Sequence, residues 1–192
     1  MTLIGEVGKT YTLTVEYDGQ TYTAETSILA PTPLSAVWWQ PEPGTPDHGY
    51  SWCTLSDPVA QFDAYKWEVK RIAIDGNGDP VDANYVETFN PVFDDEFFDG
   101  LTFDFFYENP FAFGGGIPEE EEWLFERNDT IVIKFSKMDR NLYEFMEKKY
   151  TQLATAGNPF ATPTNIPSNI EGGALGIWAG FSPSFDTLIC VE

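Results

Sequence analysis

Histidine is almost missing from this chain. His48 is the one imidazole in 192 residues. Ser-His-Asp and Cys-His hydrolases need an imidazole beside the nucleophile, and zinc centres usually draw on several His or Cys. Either chemistry would have to be built around His48, which lies in a Pro/Gly-rich stretch five positions before Cys53, with no recognisable motif around the two. Cysteine is scarce as well. Cys53 and Cys190 fit one disulfide or two buried thiols equally, and they do not decide the redox compartment. Basic residues are few: 10 Lys and Arg stand against 31 Asp and Glu, for a net charge of −21. Such a chain has no general attraction for phosphate backbones or anionic lipid, so nucleic acid is not an expected partner. The charge serves solubility and could draw cations. No apolar run reaches the roughly 18 residues that suggest a transmembrane helix, so no transmembrane segment is expected. Met1 to Gly8 show neither a basic n-region nor an apolar h-region, so no signal peptide is expected within this chain. No internal repeat is visible.

What is abundant is aromatic and turn chemistry: 16% aromatic residues, with 16 Gly and 14 Pro. That composition suits strands and turns better than a helical bundle. Thr10 to Tyr17 alternates, with Tyr11, Leu13, Val15 and Tyr17 on one face. Gln20 to Ile28 alternates too, and Asp18-Gly19 between them is a strong hairpin signal. A two-residue turn sets Tyr17 opposite Gln20, Val15 opposite Tyr22 and Leu13 opposite Ala24, which puts the apolar residues on one face. A lone hairpin is marginal in water. Residues 1–30 therefore read as the remnant of an N-terminal Ig-like β-domain whose other strands lie outside this chain.

Residues 31–192 read as a second domain, entered through the stiff linker Ala30-Pro31-Thr32-Pro33. Strands are predicted at 34–40, 50–55, 65–74, 81–89, 101–107 and 129–137, with two more near 174–181 and 184–191. Pro41 to Gly49 reads as a loop. In the strand from Tyr65 to Ile74 the apolar phase switches at Lys70-Arg71, which predicts a β-bulge or a change of buried face. Asp139 caps an amphipathic helix over about 139–156, with Leu142, Phe145, Met146, Tyr150, Leu153 and Ala154 as its apolar stripe and Gly157 at its end. Strands do not alternate with helices, so the expected class is a mainly β protein, an antiparallel β-sandwich with one helix.

Several constellations admit both a chemical and a plain reading. Asp75, Asn77 and Asp79 resemble the start of a calcium loop. Pro80 stands where that motif needs Gly and Val86 where it needs a bidentate Glu, so a hairpin loop explains the run without metal. Asp94, Asp95, Glu96 and Asp99 could bind a cation or supply paired carboxylates for glycoside hydrolysis. They also suit a polar turn with Phe93, Phe97 and Phe98 packed inward. Glu119 to Glu122 reads as a solvated charge run. Trp38, Trp39, Trp52 and Trp178 could form a platform for a sugar or another flat ligand, or simply fill the core. Trp38 and Trp39 are neighbours on a strand and face opposite sides. That pair and Trp178, which shares a face with Gly176 and Gly180, are the candidate ligand-binding residues. No catalytic residue and no cofactor is predicted.

Asn158-Pro159-Phe160, with Pro167-Ser168-Asn169-Ile170 through Gly172-Gly173-Ala174-Leu175-Gly176, resembles a Bacteroidetes outer-membrane lipoprotein family of unknown function, often encoded beside TonB-dependent receptors. Weaker likeness extends over Gly8 to Val15, Tyr22 to Ala24, Val92 to Asp95, Phe98 to Gly100 and Asp129 to Val132, and so over most of the chain. The resemblance implies an exported, lipid-anchored β-protein of the cell envelope, an accessory to uptake with a TonB-dependent receptor or a glycan or small ligand as partner. Cys53 and Cys190 are in the wrong places to carry such an anchor. The reading that results is a non-enzymatic envelope protein. A carbohydrate-binding module is the alternative, followed by a carbohydrate-active enzyme.

Overall fold

The computed structural model describes residues 5–59, 61–74, 80–82, 84–111, 123–162 and 164–191. The first hairpin joins β1 (Thr10–Tyr17) to β2 (Gln20–Ser27) in the expected register, with Tyr17 opposite Gln20 and Leu13 opposite Ala24. Asp18 and Gly19 both take positive φ, 51° and 74°. That is the turn whose twist matches two antiparallel strands.

A second hairpin joins β3 (Ala36–Glu42) to β4 (Thr45–Ser56). Most of the loop expected over Pro41 to Gly49 is therefore strand. In its sheet β3 lies at the edge, so Pro41 removes no donor that a neighbouring strand would need. Gly49 allows the close approach: a Cβ there would stand 2.2 Å from the Gln40 carbonyl oxygen. Then come β5 (Ala64–Ile74), β6 (Pro80–Asp82), β7 (Val86–Asp94), β8 (Thr102–Tyr107), β9 (Phe125–Glu126), β10 (Thr130–Met138), α1 (Arg140–Ala154) and β11 (Ser182–Ile189). One sheet runs β3-β4-β8 with β9 also on β4; the other runs β11-β10-β5-β6 with β7 also on β5. All pairings among the described residues are antiparallel. The phase switch in β5 is chiefly a change of partner, from β7 up to Val69 to β6 from Ile72. The register break itself lies earlier, between Lys66 and Glu68.

The two large sheets enclose the main core. Tyr65, Trp67 and Val69 of β5 and Ile131, Ile133 and Phe135 of β10 are fully buried against Cys53 and Leu55 of β4. Rings stack throughout: Tyr65 on Phe135 at 5.0 Å and Trp67 on Tyr107 at 4.5 Å between centroids. A second cluster covers the other side of the β5–β10 sheet. There Ala64, Val92 and Met138 meet Leu142 and Met146 of α1, with Ile177, Ala179 and Phe181 packed alongside. Asp139 caps α1 by accepting from the Leu142 amide at 2.8 Å. The helix stripe is shorter than expected: Leu153 is 61% exposed, because the last turn runs past the small cluster.

Residues 174–181 do not form the expected strand. Gly172, Gly173 and Gly176 have φ of 94°, 90° and 143°, and the chain pairs with side chains and with the first hairpin instead of a sheet neighbour. The Asn169 side-chain amide donates to the carbonyls of Trp178 (2.7 Å) and Glu25 (3.2 Å), and its oxygen accepts from the Trp178 amide. Thr23 and Glu171 form an isolated bridge, Gln20 donates to the Gly172 carbonyl, and the Gly180 amide donates to Thr26. This segment therefore docks the β1–β2 hairpin onto the sandwich.

Candidate functional site

Trp38 and Trp39 do face opposite sides. Trp39 is in the core and donates from Nε1 to the Phe125 carbonyl at 3.3 Å. Trp38 lies on the outer face, stacked on Trp52 across the strand pair at 5.9 Å. Trp52 in turn meets Phe106, and Phe106 meets Tyr50, so the outer face of this sheet carries a row of four aromatics. Trp178 is half-buried elsewhere and donates from Nε1 to the Tyr11 carbonyl at 3.3 Å, which ties it to the hairpin. The three candidate tryptophans therefore do not converge on one site. The candidate calcium residues Asp75, Asn77 and Asp79, and the run Glu119 to Glu122, lie outside the described residues.

His48 and Cys53 are no catalytic pair. They lie an odd number of positions apart on β4 and so point to opposite faces; Cys53 is fully buried. Both cysteines are free, and burial pushes each thiol up to about 12, far from the range of a reactive thiolate.

Acidic residues gather at one end of the sandwich. Asp57, Asp63 and Asp95 are buried, and the carboxylate oxygens of Asp57, Asp95 and Asp99 lie within 4.8 Å of one another. These are hard oxygen donors of the kind calcium or magnesium takes. The fold also uses them. Asp57 accepts from the Tyr65 hydroxyl (2.6 Å) and the Gly100 amide (3.1 Å), Asp95 accepts from the Asp63 amide (2.8 Å), and Asp63 pairs with Lys137 (2.6 Å). Burial, reinforced by the charges of Asp57 and Asp63 and opposed by the Asp63 amide, raises the Asp95 pKa. From sequence, only Asp94 to Asp99 stood out. Only the fold brings Asp57 and Asp63 to them.

A groove of about 830 Å³ lies between β7, the turn after it and the exposed face of α1. Its floor includes Val92, Phe93 and Phe98. Its rim carries Phe89, Phe97 and Leu153, which are 78%, 86% and 61% exposed. Phe97 was expected to pack inward and does not. Phe93 and Phe98 reach the core and pack tilted against each other at 5.9 Å between centroids, and Phe97, between Glu96 and Phe98 in the turn, is left in solvent. The groove's charged lining is Asp94 and Glu147. Burial and then those two carboxylates push the Tyr143 phenol pKa up, as a negative potential in the groove requires. Asp94 also lines an adjoining cavity of about 570 Å³ with Asp95, Glu96 and Asp99. Sequence reasoning missed this groove because Phe97 and Leu153 carried the same apolar signal as the core.

A family model described as Domain of unknown function (DUF4249) matches residues 2–184. Neither the curated proteins nor the solved structures contain a match. The chain belongs to that family of unknown function, and the match spans most of its length.

Proposed function

We propose that the chain is a non-enzymatic β-sandwich of the cell envelope that binds a ligand or partner beside a TonB-dependent uptake receptor. The compartment and the receptor come from the resemblance of the Asn158 to Gly176 block and its companions to envelope lipoproteins. The binding role rests on one observation: Phe89, Phe97 and Leu153 are exposed together around one groove. Exposed apolar residues scattered singly need no explanation, but a rimmed apolar groove marks a place where something binds. Fractionation of cells carrying the full-length protein, followed by affinity purification from native membranes, tests this. The expected result is membrane recovery with a TonB-dependent receptor enriched. A cytosolic distribution overturns it.

A carbohydrate-binding module is the second reading, favoured by the row Trp38, Trp52, Phe106 and Tyr50 on an outer sheet face. Sugars stack on such rings, although Trp38 and Trp52 already stack on each other. A broad glycan array with wild type and Trp38→Ala decides it: binding lost in the variant supports the module, and silence across the array removes it.

A further inference from the structure

We infer that the groove between β7 and α1 takes an extended peptide segment of a partner protein, with an apolar anchor residue seated between Phe89, Phe97 and Leu153 and a Lys or Arg following it toward Asp94 to Asp99. The inference rests on the binding role proposed above and adds the chemistry of the partner.

Three features of the surface converge on that occupant. The first is shape. The groove shares Asp94 with the acidic cavity beside it, and Phe89 with a further cavity of about 370 Å³ lined by Phe103 and Phe106. A trough that runs past several cavities suits an elongated ligand better than a compact one. The second is charge. Asp94, Asp95, Glu96 and Asp99 line one end, where Arg140 is held over the Phe62 ring at 3.7 Å. At the helix side Lys148 pairs with Glu147 at 3.0 Å. The carboxylates outnumber the cations and set the sign, so the complementary occupant is basic at this end.

The third feature is the backbone of β7. Its ladder with β5 pairs Lys66 with Val92 and Glu68 with Glu87, so Thr88 to Pro91 stand outside the register opposite one residue of β5. Asn90 there takes a φ of 57°. Phe89 and Asn90 are exposed, so this irregular stretch lies within reach of a ligand that carries donors and acceptors of its own. A polypeptide does, and this is how extended peptides gain affinity at sheet edges, with side-chain pockets giving specificity. A lipid chain would use the apolar rim but neither the backbone nor the acidic end.

Fluorescence anisotropy with the full chain tests the inference. The probes are three labelled synthetic peptides of about ten residues: one with a central Phe followed by two Lys, one with Glu in place of Lys, and one with Ser in place of Phe. The first is expected to bind at least roughly tenfold more tightly than either of the others, and more weakly as salt rises. Phe97→Ser and Leu153→Ser are each expected to weaken it about tenfold; both residues are exposed, so the fold survives their replacement. Equal binding of all three peptides, no binding of any, or binding indifferent to both substitutions overturns the inference. Purifying Phe97→Ser from native membranes separates the two proposals. A receptor retained at the wild-type level removes the groove as the docking site and leaves the envelope role standing. A cytosolic full-length protein removes the envelope role and leaves the groove to the peptide result.

Discussion

Between the two large sheets, Tyr65, Trp67 and Phe135 have no exposed surface. At the dock of the first hairpin, the contacts are an Asn169 amide shared among backbone groups, a Thr23–Glu171 bridge and an indole N–H donated to the Tyr11 carbonyl. At that hairpin's turn end, Tyr17 is 73% exposed and Val15 44%. One region is held by burial of aromatic area, the other chiefly by hydrogen bonds around a few small buried side chains such as Ala24 and Thr26. Burial contributes about 25 cal/mol per Å², whereas a typical hydrogen bond nets only about 0.5–1.5 kcal/mol. The sandwich should therefore unfold as one unit, and the hairpin should open locally at lower cost.

The largest expected effect tests the first half of that contrast. Trp67→Ala removes a ring packed from all sides and should cost about 3–5 kcal/mol, read as a lowered urea midpoint for the entire sandwich. A loss below about 1 kcal/mol would mean that the core is not the main source of stability. An intermediate effect tests the second half. Gly172 has a φ of 94°, and a Cβ there would stand 2.6 Å from the Thr21 carbonyl oxygen. Gly172→Ala should cost about 1–3 kcal/mol at the dock alone. Hydrogen exchange should then show protection lost over 10–27 and kept over 130–138. Loss spread equally over both would erase the distinction between the regions.

The smallest effect concerns pH and belongs to the sandwich end. The Asp95 pKa is raised above 3.8 in the fold, by burial first. A raised carboxyl pKa means that the native state holds this proton more tightly than the unfolded chain does. Ionising Asp95 therefore reduces stability as pH climbs through the window just above 3.8. Asp95→Asn keeps an acceptor for the Asp63 amide and should raise Tm at pH 7 by no more than about 4 °C. The gain should shrink as the pH is lowered toward 4. Thermal scans at both pH values check it, and a lower Tm for the variant at pH 7 contradicts it.

The comparison also explains which parts could be read without the fold. The hairpin register followed from the positive-φ turn Asp18-Gly19 and two alternating strands, all information within 18 residues. The Asp139 cap and the strand predicted over 129–137 were equally local. The strand over 174–181 was misread because Ile177 and Ala179 do point into a small core, yet glycine geometry and the Asn169 side chain keep the segment out of a sheet. Pro41 to Gly49 was misread because proline's penalty depends on whether a strand lies at an edge, which is a property of the sheet.

Local alternation, turn chemistry and capping thus determined, from the sequence by itself, that this is an antiparallel β protein with one helix. They act over a few residues and do not depend on the rest of the molecule. Tertiary structure alone decided which apolar residues stay in solvent. Phe97 and Leu153 have the composition of core residues, and the sheet and the small cluster beneath α1 simply end before reaching them. It alone brought Asp57 and Asp63 beside Asp95, and gave the hairpin a dock about 150 residues further along the chain. A binding groove or a charge cluster depends on distance in space, and for these long-range pairs only the packed fold sets that distance.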